Sequence, residues 1–390
     1  MCSLCVRAMT AYSTFLNTIT IGRGVFTMDA FMSIIAARRL GLLFPRLILI
    51  CVLVMCAQTV AIVTIEYEAL QALYNATRGE YWYWDDEGVR WNFTLPAALT
   101  NTCSWQGVEC DEEQMHVTSL SLEETNLNGT LPGALGSLRN LSYLLLQSNN
   151  LSGTIPSRYD SLKNLLKLCL QHNRLKGEIP KKLGTLSNLE WLYLYDNELS
   201  GTIPSELGDL FNLERLYIYM NRLRGTIPHS IGNLISVRYI SMDHNQLTGT
   251  IPPTIASLTN MTSFRAYNNE LNGSIPDFPL HIQELYLQNN HLSGTIPSSM
   301  SYPRLQQLTV ANNYLSGTLP DSLANCSILK TLVLYNNFLS GSIPRSYSTF
   351  HRMQTLAVHE NKLSGDLDPI NYMSKMESLY LLDNAFTGNN

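Results

Sequence analysis

Charge is scarce in this chain. Asp, Glu, Lys and Arg make up 15% of its 390 residues, and the formal net charge is −5 with a pI near 5.9. A nucleic-acid binder needs a basic surface to displace counterions from phosphate, so this balance argues against such a partner. Catalytic signatures are missing too: there is no G-x-G-x-x-G, no H-R-D or D-F-G, no H-E-x-x-H and no G-x-S-x-G. Without them no dinucleotide, kinase, zinc-protease or serine-hydrolase chemistry is read, and neither an enzymatic activity nor a cofactor is expected. The eight cysteines do not make a paired metal set, because Cys2 and Cys5 form a lone C-x-x-C and Cys51 and Cys56 sit in an apolar run as hydrophobes. The acidic clusters Asp85-Asp86-Glu87 and Asp111-Glu112-Glu113 lack the ligand spacing of an oxygen-donor cation loop and read as solvated loop.

Long apolar runs are also lacking, with one exception, residues 47–65. Arg38, Arg39 and Arg46 precede that run and Glu66 and Glu68 follow it, a polarity that places the rest of the chain outside the cytosol. It reads as the apolar part of a signal peptide or as a transmembrane anchor. A leader of residues 1–46 is too long for an ordinary signal. Either translation starts at Met28 or Met32 with cleavage near Ala57 or Ala61, or the segment stays as a membrane anchor. At the far end no polar spacer and hydrophobic tail follow, so no lipid-anchor signal is read, and the last residues fall inside a repeat with no C-terminal cap.

Repetition is what the chain has in abundance. A Gly closes the motif N-x-L-x at 153, 177, 201, 225, 249, 273, 294, 317, 341, 365 and 388, with a degenerate first copy ending at Gly129. Most steps are 24 residues, one is 21 and two are 23. This is the L-x-x-L-x-L-x-x-N-x-L pattern of leucine-rich repeats, and about twelve copies cover residues 117–390. In "LLKLCLQHNRLKGEIP" the residues Leu165, Leu168, Leu170 and Leu175 point inward, and one coil cannot bury them alone, so neighbouring coils must stack. Asn173 and its counterparts Asn149, Asn197, Asn221, Asn245, Asn269, Asn290, Asn313, Asn337, Asn361 and Asn384 turn inward as well. A buried amide must be hydrogen-bonded, which predicts a ladder of Asn side chains on loop backbone. The motif-end Gly suits a sharp corner, and the Ile-Pro or Leu-Pro after it fixes an extended return path. The expected fold is an α/β solenoid, a leucine-rich repeat superhelix with a concave parallel β-sheet, an irregular or 3-10 convex side and a helical N-terminal cap over residues 66–116.

The ending L-x-G-x-I-P, as in "LSGTIP" at 151–156 and 292–297, resembles the plant-type subclass of leucine-rich repeats. That subclass occurs in receptor-kinase ectodomains, polygalacturonase-inhibitor proteins and kinetoplastid surface antigens. The segment before the repeats is similar to the N-terminal cap of such proteins: a helix with Ala69, Leu70, Leu73 and Tyr74 along one side, an aromatic run, then C-x-W-x-G-V-x-C over Cys103, Trp105, Gly107, Val108 and Cys110. The resemblance implies a disulfide between Cys103 and Cys110. Cys326 falls in a convex slot and is expected to be a buried small residue. Cys169 falls between core leucines and is expected to be a free, exposed thiol. Since no kinase follows the repeats, a signalling role would need a partner chain.

Eight N-x-S/T sequons, at Asn75, Asn92, Asn128, Asn140, Asn150, Asn260, Asn272 and Asn325, mark glycosylation positions for a secreted or surface protein, although N-L-S and N-G-T also arise from the repeat itself. Lys163, Lys167, Arg174, Lys176, Lys181 and Lys182 form one local basic zone in sequence, read as a solvated face.

Residues that alternate with core leucines face outward on the concave sheet. From repeat four to repeat eight those slots hold Trp191, Tyr193, Tyr195, Tyr217, Tyr219, Tyr239, Tyr267 and Tyr286, interleaved with Arg215, Arg238 and Arg265 and with Glu190, Asp196, Glu214, Asp243 and His244. Further along, the slots turn to Gln306, Gln307, Thr309, Lys330 and Thr331, with Tyr335 and Tyr380 isolated. The bland account is that rings suit strands and shield the backbone. Contiguity and an arginine-and-acid rim favour a binding surface for a protein, peptide or glycan. The competing class is a structural or shielding surface antigen with no specific ligand.

Overall fold

The computed structural model describes residues 18–21, 24–27, 64–97 and 100–387. The segment 47–65 therefore lies outside the described residues except for Thr64 and Ile65, as do most of the leader and Gly388, the closing residue of the last motif copy. Within 1–46 the described part is an antiparallel pair, Thr18–Ile21 with Gly24–Thr27. Among the described residues no helix is long and apolar enough to cross a membrane.

The repeats form a solenoid whose concave wall is one sheet of thirteen strands. Twelve are parallel and follow sequence order, one per repeat, beginning with Val117–Ser121 (repeat 1), Tyr143–Leu145, Lys167–Cys169 and Trp191–Tyr193 (repeat 4), and ending with Ser378–Tyr380 (repeat 12). The cap strand Val108–Cys110 pairs antiparallel with the first of them across a bulge. Pairing never slips: Leu168, Leu192, Leu216 and Ile240 stand in line, and so do their neighbours on either side. Each repeat slot thus becomes a row along the solenoid, which puts the leucines in a continuous core, buried up to the last described coil where Leu379 is exposed, and the alternate residues in a continuous surface.

Beyond the corner, where the repeat pattern predicts irregular backbone, a second, shorter parallel ladder forms in groups of four and eight strands. The convex side then turns through short 3-10 segments. Eight of these follow a Pro held at φ −60 to −78° and ψ 121 to 143°, the extended conformation that a fixed pyrrolidine ring favours. The 21-residue step has no such turn; there Phe278 packs on Phe264, with ring centroids 5.4 Å apart.

The asparagine ladder forms as expected. Asn245 Nδ2 donates to the carbonyls of Ile218, Met242 and Asp243 at 3.1, 3.1 and 3.2 Å, and its Oδ1 accepts the Leu223 N–H at 2.9 Å. Asn149 through Asn384 repeat this arrangement. Each amide therefore satisfies its own turn and clamps it to the preceding one. The motif-end glycines occupy the left-handed region; at Gly225, φ is +73° and a Cβ would lie 3.0 Å from the Thr202 methyl of the previous coil. The residue before each ladder Asn is left-handed too, for example Asp196, His244 and Asn268 at φ 53, 50 and 52°. Asn and Asp tolerate that conformation better than most residues, which explains a slot that sequence periodicity left unassigned.

The cap is a helix over 64–76 followed by packed rings, with Trp91 and Trp105 stacked at 5.4 Å. Glu66, buried at 6% exposure, contacts His116 Nδ1 at 3.1 Å and accepts the Val117 N–H at 2.9 Å, tying the helix to the first repeat. Burial holds its carboxyl above the usual range in spite of those two contacts. Cys103 and Cys110 are joined by a disulfide.

Two expectations need correction. Cys169 is free but buried, at 4% exposure, because its row neighbours Leu145 and Tyr193 are larger and close over it. Burial pushes its thiol up to about 12. Cys326 is buried, as expected, and its Sγ accepts the Tyr302 N–H at 3.3 Å. The basic zone also disperses: Lys167 stands on the concave strand, Arg174 and Lys176 on the second ladder, and Lys181 and Lys182 on a convex turn where Lys182 pairs with Asp160 at 3.1 Å. One coil winds through all these faces within about twenty residues, so closeness in sequence does not gather them.

Replacing Asn245 by Ala removes four hydrogen bonds and leaves carbonyls and an N–H unpaired in the corner, so a loss of roughly 1–3 kcal/mol is expected from urea unfolding. An unchanged midpoint would contradict the clamp. Alkylation at pH 8 followed by non-reducing peptide mapping should recover Cys103 and Cys110 joined and Cys169 unmodified, with Cys169 reacting only once denaturant is added.

Candidate functional site on the concave face

Because register is exact across repeats 3 to 6, the outward slots of adjacent strands meet ring to ring. Tyr193 stacks on Tyr217 with centroids 4.8 Å apart, and Tyr195 on Tyr219 at 4.3 Å, both pairs 9° from parallel. Trp191 lies beside Tyr193 at 5.6 Å. Arg215 joins three of the rings: its guanidinium is 4.4 Å from the Trp191 centroid and 5.4 Å from that of Tyr239, and it donates a hydrogen bond to Tyr193 Oη at 3.1 Å. Burial raises the Tyr193, Tyr217 and Tyr219 phenols above their ordinary range, so all three stay neutral at physiological pH. These rings are half-buried by one another and still present edges to solvent.

The remaining predicted residues are less continuous. Repeat 6 places Ser241 and Asp243 where repeat 5 has Tyr217 and Tyr219, and both are buried. Asp243 accepts from Ser241 Oγ at 2.6 Å and contacts His244 Nδ1 at 2.9 Å. Beyond that interruption Tyr267 and Tyr286 approach to 6.4 Å, and Arg265 lies 5.0 Å from the Tyr286 centroid while bonded to Glu284 at 2.7 Å. Arg238 is exposed just ahead of its strand and makes no ring contact or ion pair among the described residues. It does not join the cluster.

Three features escaped the sequence reading. Lys167 belongs to the patch, with Nζ 3.6 Å from the Trp191 centroid and 5.5 Å from that of Tyr143. Tyr335 and Tyr380 are not isolated: His359 stacks on Tyr335 at 4.5 Å and approaches Tyr380 to 5.9 Å, forming a second cluster. A histidine in that row was the available signal. Finally, Asn268, Asn289, Asn312 and Asn336 form a surface amide ladder at the corner, spaced at 2.5 to 2.8 Å and reaching His244 Nε2 at 2.6 Å. Among the described residues no group of His, Cys, Asp and Glu could hold a metal ion.

A parallel slot-on-slot sheet, an Asn-clamped corner, a Pro-led convex turn and an aromatic disulfide cap define the class: this is a plant-type leucine-rich repeat protein. The Leucine Rich Repeat family matches residues 140–162, 188–210, 212–234, 236–258, 281–302 and 304–326. The LRR receptor-like serine/threonine-protein kinase ERL2 of Arabidopsis thaliana is 51% identical over 39 residues, 10% of this chain and 4% of that protein. Among solved structures, the plant peptide hormone receptor RGFR1 in complex with RGF2 superposes with TM-score 0.70 at 34% identity, over 73% of this chain and 50% of that one. PEPR1–AtPEP1 superposes with TM-score 0.70 at 30% identity, over 81% and 49%. This chain thus spans about half the length of those receptor chains.

Proposed function

We propose that the protein is an extracellular or cell-surface recognition module that binds a peptide or protein segment along its concave sheet, centred on Trp191, Tyr193, Tyr195, Tyr217 and Tyr219. The observation that carries this reading is the continuous ring-and-cation surface of repeats 3 to 6, which has the aromatic and arginine composition of interaction hot spots. The likeness to RGFR1 bound to RGF2 supports a peptide as the partner class. The distribution of sequons supports the same face. Asn75 and Asn92 lie in the cap, Asn128, Asn150 and Asn272 on the second ladder, and Asn140, Asn260 and Asn325 in convex turns. None falls in a strand of the concave sheet, so glycans on all eight would leave that sheet clear, unlike a shielding coat. The Asn260 amide already donates to the Ile235 carbonyl at 2.9 Å, which makes it the sequon with most to lose on modification.

Trp191→Ala and Tyr217→Ala separate binding from packing. Both residues lie outside the leucine core, so melting curves should stay close to wild type while affinity on a peptide and glycan array falls by about 2 kcal/mol or more, some thirtyfold. Early unfolding of both variants would mean the rings only shield the sheet. Normal melting with undiminished binding to every wild-type target would move the site elsewhere. Export is tested by translation with microsomes: the repeats should be protected from added protease, and digestion of them on the cytosolic side would contradict an extracellular role.

A further inference from the structure

Tyr143, Lys167, Trp191, Arg215 and Tyr239 occupy one row of the concave sheet in consecutive repeats, so rings and cations alternate. The Lys167 ammonium is 3.6 Å from the centroid of the Trp191 indole and the Arg215 guanidinium carbon 4.4 Å, so the two charges lie within about 8 Å of each other. That separation does not exceed the screening length of about 8 Å in physiological salt, so solvent ions alone do not remove the repulsion. Rings attract cations through their quadrupoles but cancel no charge. Among the described residues neither Lys167 nor Arg215 forms an ion pair, and Glu190 and Glu214, which immediately precede Trp191 and Arg215 in the chain, form none either. Arg265, two repeats further on, shows the ordinary solution, a carboxylate bond to Glu284 at 2.7 Å. Arg215 spends one N–H on the Tyr193 hydroxyl, and its Nε–H is buried without an acceptor.

We propose that Lys167, Trp191 and Arg215 form an anion subsite that takes the carboxylate of an Asp or Glu side chain in the peptide ligand. This rests on the peptide-recognition reading above and narrows it to acidic peptides. The ring stack fixes both cations in advance, so little side-chain freedom is lost on binding. The indole edge between them offers an apolar contact to the methylene stem of the acid. Arg215 supplies directed N–H groups and Lys167 a compact charge, both forming charge-assisted hydrogen bonds stronger than neutral ones.

The test is a peptide array printed as matched twins, each acidic peptide beside the same sequence with Asn and Gln in place of Asp and Glu, probed with wild type, Lys167→Met, Arg215→Met and Lys167→Glu. Wild type should prefer acidic twins by about tenfold or more. Each Met variant, which keeps an apolar stem over the indole, should bind both twins alike with an unchanged melting temperature, and Lys167→Glu should shift selection toward Lys-containing peptides. Should Arg215→Met fail to fold, Lys167→Met alone decides. Equal wild-type binding to both twins, or a preference that survives in a folded Lys167→Met, overturns the anion subsite while the peptide reading stands, provided Trp191→Ala still abolishes binding. Folded wild type that binds no peptide on the array overturns both.

Discussion

The asparagine clamp is the constraint on which the rest of this structure depends. Each coil turns sharply where the strand ends, through residues held at positive φ, which leaves backbone groups that neither sheet can pair. Asn245 and its equivalents satisfy three carbonyls and one N–H at every corner, and because one of those carbonyls and the N–H belong to earlier turns, the same amide fixes the stagger between coils. A sheet whose strands are three residues long has too few ladder bonds to set its own register. The clamp sets it, and in-line register is what turns Trp191, Tyr193 and Tyr195 from residues of one coil into members of rows shared with Lys167, Arg215, Tyr217 and Tyr219.

From that register follows the tension between packing and recognition on the concave face. Rings 4.3 to 4.8 Å apart and nearly parallel shield one another and the strands below, which is a stabilising contact in any reading. The same stacking holds them rigid, so a ligand meeting their edges would not have to order them first. Cys169 shows how closely the surface closes at its margin: a small side chain between Leu145 and Tyr193 becomes buried on a face that alternation alone assigns to solvent.

The repeat boundaries, the inward leucines and the Asn ladder were all legible in the sequence, because a strict spacing of Leu, Asn, Gly and Pro admits few backbone paths. The concave ring cluster was legible for the same reason, since slot position determines face. What periodicity could not show was contact across rows of unlike residues. Lys167 read as one of a group of basic residues until stacking placed it against Trp191, and Tyr335 and Tyr380 read as isolated until His359 stood between them. The second strand ladder was equally hidden, because its pairing is fixed by the neighbouring coils rather than by alternation within one.

Trp191 is the one tryptophan beyond the cap, which holds Trp82, Trp84, Trp91 and Trp105. Fluorine NMR of protein labelled with 5-fluorotryptophan therefore reads the concave face through a single resonance against four internal controls. On addition of an array-selected peptide, the Trp191 signal should shift or broaden in proportion to occupancy while the four cap signals stay in place. A peptide that binds by calorimetry yet leaves the Trp191 resonance unmoved would contradict the assignment of the recognition surface to these rings.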